Sequence, residues 1–270
     1  MLSQATREAE FPPYPSMPVW RRMLVIGAVI AISAVYWVSF SISQFDLQRL
    51  AEGIPVMVRW LGKAWPPDFH GLDLLLYRAV ETFAMALVGT TLGCIFALPL
   101  CLLAARNINR NMFSQQIVRV LLNALRGTDT MIFAIIFVVA VGLGPFAGVL
   151  GVCLHTAGVV AKLWSEAIEA LDDGPMQAAM LSGATLVKTI SYALMPDAIP
   201  ILVSVALYAI EFNVRASTVL GLVGAGGIGQ ELKNSVDLLN FPRIFTIVML
   251  ILIIVTLVDQ LSGFIRRRLI

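Results

Sequence analysis

Long apolar runs recur along nearly the whole chain, and a helix needs about 20 mostly apolar residues to cross a bilayer. The first is Val19–Ile42, with Arg21 and Arg22 near its start, and the second covers residues 74–104. The third has a charge-free core of only residues 131–141 and must draw extra turns from residues 117–125. The fourth covers residues 146–168 after a turn at Gly142, Gly144 and Pro145. The fifth covers 196–210, and the sixth covers 244–265 and ends in Arg266, Arg267 and Arg268. The expected fold is therefore all-α, a polytopic membrane protein of about six transmembrane helices. Composition agrees: charged residues make up 13%, about half the roughly 25% of a soluble domain. The formal net charge of +2 is too small to imply a nucleic-acid partner.

Cys94, Cys101 and Cys153 sit inside apolar runs at no metal-ligand or redox spacing, and read as inert buried thiols. The polar, proline-rich lead through Phe11, Pro12, Pro13, Tyr14 and Pro15 reads as a disordered tail, residues 1–18. The apolar segment after it is too long for the core of a cleavable signal peptide.

Six spans put both termini on one side, and the Lys/Arg balance says which. Arg7, Arg21, Arg22, Arg106, Arg110, Arg119, Arg126, Lys162, Lys188 and the terminal arginine triplet make twelve on one face. Arg49, Arg59, Lys63, Arg78, Arg215, Lys233 and Arg243 make seven on the other. The first face is expected to be cytoplasmic, with both termini and the loop of residues 172–195. The outer segment, residues 44–73, carries Leu47, Leu50, Ile54, Val58 and Leu61 at helical spacing, interrupted by Pro55 and ended by Trp65-Pro66-Pro67. It reads as a broken amphipathic helix, lying on the outer membrane surface with Trp60 and Trp65 at headgroup level or packing on neighbouring helices.

In the 172–195 loop, Asp172-Asp173-Gly174-Pro175 is a helix-start signal. Met176 to Leu181 should form a short helix, Gly183 permits a tight turn, Thr185 can cap the next helix, and Pro196 begins the following span. Two short helices with a sharp bend result, wet yet apolar enough to dock on a partner. Gln177-Ala178-Ala179, then Gly183-Ala184, then Ala193, Leu194 and Met195-Pro196 resemble, in register, the EAA loop of bacterial ABC-importer permeases. That pattern has Glu where this chain has Gln177, which keeps hydrogen-bonding capacity and loses charge. The resemblance implies a type I importer permease fold and makes Gln177, Ala178, Ala179, Gly183, Ala184 and Pro196 the ATPase-coupling residues.

A narrower resemblance, to phosphonate-importer permeases, covers roughly residues 60–268. It rests on Trp65-Pro66-Pro67-Asp68-Phe69, the 140–148 turn segment, Leu154-His155-Thr156-Ala157-Gly158, and Asn213 through Gly229. It implies a homodimer in the bacterial inner membrane, two ATP-binding subunits on the cytoplasmic face, an extracytoplasmic solute-binding protein, and a phosphonate or related phosphorus oxyanion as substrate. ATP and Mg would be bound by the partner ATPase, because this chain has no Gly-x4-Gly-Lys-Ser/Thr phosphate loop. No catalytic residue, metal site or cofactor is expected in the chain itself.

Gly224-Ala225-Gly226-Gly227-Ile228-Gly229 satisfies a dinucleotide fingerprint by letter but lacks the strand–turn–helix setting that the fingerprint needs. It reads instead as a flexible outer loop whose glycines allow close backbone approach, a gate hinge or tight packing. Val219 and Leu220 are candidates to close the pathway outside. His155 lies mid-span and can touch a passing oxyanion or bond to a neighbouring helix. Glu211 and Arg215, at the outer end of the fifth span with Asn213 between them, can pair with each other, or Arg215 can guide an anion. Lys162, Glu166 and Glu169 read as a solvated, partly paired stripe. An ion-driven secondary transporter of small anions is the alternative function, although acids well inside the spans are lacking. An intramembrane enzyme finds no clustered His/Asp/Glu set.

Overall fold

The computed structural model describes residues 18–109 and 111–269. The lead before Pro18, Arg7 included, and Arg110 lie outside the described residues. The chain divides after Arg59 into two compact units. The first holds α1 (Val19–Ile42), whose described side chains are all exposed. Its 24 residues are long and apolar enough to cross a membrane.

The second helix, α2 (Leu47–Lys63), begins where the Asp46 carboxylate accepts the Gln48 and Arg49 backbone N–H groups. The expected break at Pro55 does not occur: Pro55 lies inside a continuous helix. A proline removes one donor but keeps a helical φ, and the bonds on either side carry the helix through.

The larger unit is built on α3 (Leu72–Ala104) and α6 (Pro145–Glu169). At 33 residues α3 is about 50 Å long, well beyond a hydrocarbon core of about 30 Å. The two helices cross closely because small residues line the seam: a Cβ on Gly93 would stand 2.7 Å from the Thr156 Cβ. α4 (Met112–Gly127) and α5 (Thr130–Val141) flank α6. Together they make up the stretch read as the third span, and the two helices meet at 89°. Asp129 caps α5 by accepting the Met131 N–H at 2.8 Å, which starts a new helix instead of continuing the old one.

After α6 come α7 (Gly174–Leu181) and α8 (Leu186–Thr189), then one π-helical turn (Ile190–Leu194), and α9 (Met195–Leu220). The fifth span was expected to start at Pro196 and end near Ile210; instead one helical rod runs Leu186–Val223. The wide π turn sits directly before Pro196, where the ring would crowd the preceding turn of a regular helix. A short 3-10 turn (Gly221–Val223) leads through Gly224–Gly226 to α10 (Gly227–Asp237) and α11 (Phe241–Leu269). The expected flexible glycine loop is thus an ordered turn followed by a helix. Among the described residues, five helices are long and apolar enough to cross a membrane, six with the bent α4–α5 pair counted as one span.

Buried side chains gather at both ends of the bundle. One group joins Leu75 and Ala79 of α3 to Ile228 of α10 and Ile247 of α11. The largest group joins Cys101 and Ala104 to Leu122, Trp164, Met176 and Leu202. The last turn of α2 and the segment after it are tied to the start of α11: Trp60 stacks on Phe241 at 5.4 Å, and Thr246 donates to the Asp68 carbonyl at 2.9 Å. Trp60 therefore rests one face on Phe241 while remaining exposed, as Trp65 is.

Candidate functional site

Asn213 sits inside α9 and is 1% exposed. Its side-chain amide donates to the Thr90 hydroxyl of α3 at 2.7 Å and to the Thr156 hydroxyl of α6 at 2.8 Å. A buried amide is costly without partners, so this knot explains how a polar residue continues the helix. Three helices that share no sequence neighbourhood are pinned at one level by it.

Beside the knot lies a cavity of about 260 Å³ whose polar lining residues are Arg126, His155, Thr156, Tyr208 and Asn213. Its remaining walls are apolar, among them Val159, Val205 and Phe212. His155 Nδ1 is 2.9 Å from the Thr128 carbonyl at the α4–α5 break. That oxygen can only accept, so Nδ1 carries the proton in neutral imidazole and Nε2 the lone pair. His155 therefore bonds a neighbouring segment, one of the two roles the sequence left open, and it also lines the cavity. Arg126 was read from sequence only as an orientation charge; its place on the cavity depends on the 89° bend, which carries no sequence signal. Among the described residues Arg126 makes no ion pair, and the lining includes no acid.

Glu211 and Arg215 pair at 3.6 Å, as their spacing allows. They lie in the interior of α9, not at the end of a span, because the helix continues to Leu220. Two residues that sequence reasoning missed complete a four-charge cluster from α11: Asp259 is 3.8 Å from Arg215, and Arg266 is 3.8 Å from Glu211.

At the other end of α9, Leu220 is fully buried against Ala134, Val152 and Ala225, whereas Val219 is exposed. Gly224 and Gly226 form the turn, and Gly227 and Gly229 begin α10. The Ile228 N–H donates to the Thr82 hydroxyl at 2.8 Å, and a Cβ on Gly227 would collide with that same hydroxyl. Arg78 pairs with Glu81 at 2.8 Å and lies 4.0 Å from Glu231, which also pairs with Arg243 at 3.6 Å, so that α3, α10 and α11 are tied around the turn.

The 172–195 loop is a bent knob with an anchored inner side. Met176 is buried beside Trp164, Ile168 and Leu194, and Met180 packs on the same core. Outward, Leu181 is 89% and Tyr192 83% exposed, and Gln177 is exposed without a side-chain hydrogen bond among the described residues. The bend is a Schellman closure: Gly183 has φ +85°, its N–H donates to the Met180 carbonyl, and Ala184 N–H donates to Ala179. Ala178, Ala179 and Gly183 thus sit together in one cap, with Ala184 closing it. Pro196 is separate, inside the rod after the π turn.

The knob is clamped to the bundle. Glu169, last residue of α6, accepts the Arg106 N–H at 2.7 Å and pairs with the Arg119 guanidinium. Asn107 donates to the Ile168 carbonyl at 3.0 Å. Glu169 is therefore a cross-link and not part of a solvated stripe; only Lys162 and Glu166 pair along α6, at 3.3 Å. No cluster of three metal-ligating side chains occurs among the described residues.

Comparison with known proteins agrees with this architecture. HtxC of Stutzerimonas stutzeri is 45% identical over 248 residues, 92% of this chain and 88% of its own length. PtxC of the same organism, a phosphite transport system permease protein, is 39% identical over 92% of this chain and 90% of its own. The phosphate-import permease PhnE of Mycolicibacterium smegmatis is 39% identical along the whole chain, which spans 51% of that protein. Among solved structures, an inward-facing MetNI methionine ABC transporter chain superposes with a TM-score of 0.66 at 24% identity, covering 75% of this chain and 99% of that one, which establishes the fold. The sequence model of the binding-protein-dependent transport system inner membrane component matches residues 89–270. The chain belongs to that family and is a multi-pass permease of the inner membrane.

Proposed function

We propose that this permease moves a phosphonate, or a related phosphorus oxyanion such as phosphite or phosphate, inward. It works as a homodimer with two ATPase subunits on the cytoplasmic face and a solute-binding protein outside. ATP and its Mg ion bind to the ATPase partners, whose closure moves the knob formed by α7 and α8. The observation that carries the reading is the anchored apolar knob. Leu181 and Tyr192 project outward while Met176 and the Glu169 clamp join its base to α3, α4 and α6. A force on the exposed side reaches the helices that surround the cavity. The substrate class is supported by the relatives named for phosphite and phosphate transport, and by a cavity whose charged lining residue is a cation.

The knob side of the membrane is read as cytoplasmic from the arginines at the span ends, with both termini on that side. Val219 and the Gly224–Gly229 segment are read as the outer gate.

The test is uptake by proteoliposomes holding the permease, its ATPase and its binding protein. Methylphosphonate should accumulate only with ATP on the ATPase side and binding protein on the other. Accumulation driven by an ion gradient without the ATPase would instead support a secondary transporter.

A further inference from the structure

The cavity between α4, α6 and α9 offers donors and acceptors in an unusual division. On the donor side stand the Arg126 guanidinium and the Tyr208 hydroxyl. Acceptor capacity comes from two residues whose donors are already committed. His155 spends Nδ1–H on the Thr128 carbonyl, which leaves the Nε2 lone pair. Asn213 spends both amide N–H groups on Thr90 and Thr156, which leaves its carbonyl oxygen. A fully deprotonated anion can use the donors only, and would face two acceptor lone pairs with nothing to offer them. An oxyanion that keeps one hydroxyl uses the donors and gives its proton to one of the two acceptors, and a water in the cavity can serve the other.

We infer that this cavity is an intramembrane holding site for the singly protonated form of a phosphorus oxyanion, and that it discriminates against sulfur oxyanions of the same shape. The inference rests on the transport reading above and adds the ligand's protonation state and the residue, Arg126, that holds its charge. Phosphorus oxyanions have an ionisation near neutrality, about pH 6 for a phosphate monoester, so at pH 7 roughly a tenth of such a population still carries the hydroxyl. Sulfonates and sulfate carry none. The cavity volume of about 260 Å³ corresponds to about eight or nine waters at bulk density. That is room for one small oxyanion with a few waters. The apolar walls at Val159, Val205 and Phe212 suit a short organic substituent. Arg126 is the residue best fitted to hold the charge, since no acid on the lining competes for it and a guanidinium grips oxyanions in a planar fork.

The pair of probes that separates the chemistry is methylphosphonate and methylsulfonate, which share shape and single charge and differ by the hydroxyl proton. Equilibrium binding to the full-length permease in nanodiscs, without binding protein, should be saturable for methylphosphonate and about tenfold to a hundredfold weaker for methylsulfonate, the range set by one lost hydrogen bond to a charged ligand. Arg126→Gln should abolish both. Tyr208→Phe, which removes one hydroxyl and keeps the ring, should weaken methylphosphonate severalfold and serves if Arg126→Gln does not insert. Equal binding of the two probes, unchanged binding in both variants, or no saturable binding at millimolar methylphosphonate overturns the inference. Uptake by the complete transporter separates this from the parent reading. ATP-driven methylphosphonate uptake without binding at this site defeats the site alone. Binding with the expected discrimination but no uptake of any phosphorus oxyanion defeats the transport reading alone.

Discussion

Asn213 donates to the Thr156 hydroxyl across 2.8 Å, joining the interior of α9 to the interior of α6. Thr90 receives the other amide hydrogen at 2.7 Å. Hydrogen bonds between membrane helices average about 0.6 kcal/mol and reach about 1.7. Asn213→Ala should therefore destabilise the permease by about 1–3 kcal/mol, since it removes two bonds and leaves the Thr156 hydroxyl in search of a partner, while Thr90 keeps its bond to the Ala86 carbonyl. Thr156→Val should be costly in the wild-type background and nearly silent in Asn213→Ala. Thermal unfolding in detergent measures both, and equal costs in the two backgrounds would show that the pair is not coupled.

The α3–α6 crossing depends on absent side chains. A Cβ on Gly93 would lie 2.9 Å from the Cys153 carbonyl oxygen, and backbone yields poorly. Gly93→Val should cost about 1–3 kcal/mol through overpacking. Gly127 has nothing within 4 Å of the same construction, so Gly127→Ala should stay within about 0.5 kcal/mol of wild type or gain slightly. Similar losses at the two positions would count against the close crossing.

Glu169 holds both the Arg106 N–H and the Arg119 guanidinium. Removing one partner of a half-buried pair leaves the other uncompensated. Glu169→Ala should leave insertion intact and lower the amount of substrate moved per ATP hydrolysed, since the end of α6, where the knob begins, then loses its tie to Arg106 and to Arg119 of α4. Arg119→Ala combined with Glu169→Ala should be little worse than Glu169→Ala alone. Additive losses in transport stoichiometry would mean that the two residues act separately.

At Gly183 the backbone has φ +85°, and a side chain in the left-handed region costs about 1–2 kcal/mol. Gly183→Ala should loosen the Schellman closure, and amide exchange at Ala184 should accelerate while exchange in α6 stays unchanged. Asn, which tolerates that region better, should exchange more slowly at Ala184 than Ala does. No difference between the three residues would remove the conformational reason for a glycine there.

Much of this molecule follows from local signals. Apolar runs marked the membrane helices, and the Gly174-Pro175 start and Gly183 stop marked α7 because helix ends have their own residue chemistry. What local signals hide is continuity and its loss. Pro196 looked like a helix start, yet the π turn at Ile190–Leu194 carries the rod past it. Residues 117–141 read as one span, yet the Asp129 cap starts a new helix there, and the bend brings Arg126 to His155 on the same cavity. The remaining features are pairs distant in sequence: Thr82 with Ile228, Glu169 with Arg119, and Asp259 with Arg215. No spacing rule within one helix finds such partners. Of the candidate site, the bent knob around Gly183 and a mid-span His155 were legible, and the placement of Arg126 and Tyr208 on the cavity and the committed donors of Asn213 were not.

The most direct test of the account measures ATP hydrolysis and methylphosphonate uptake together in the complete transporter carrying Gly183→Pro. Proline cannot adopt φ +85° and has no N–H for the Met180 carbonyl, so the bend is lost while the spans are untouched. The account predicts an inserted, assembled permease whose ATPase still turns over while uptake falls to background. Uptake at the wild-type rate per ATP would contradict the claim that this bend transmits the ATPase stroke.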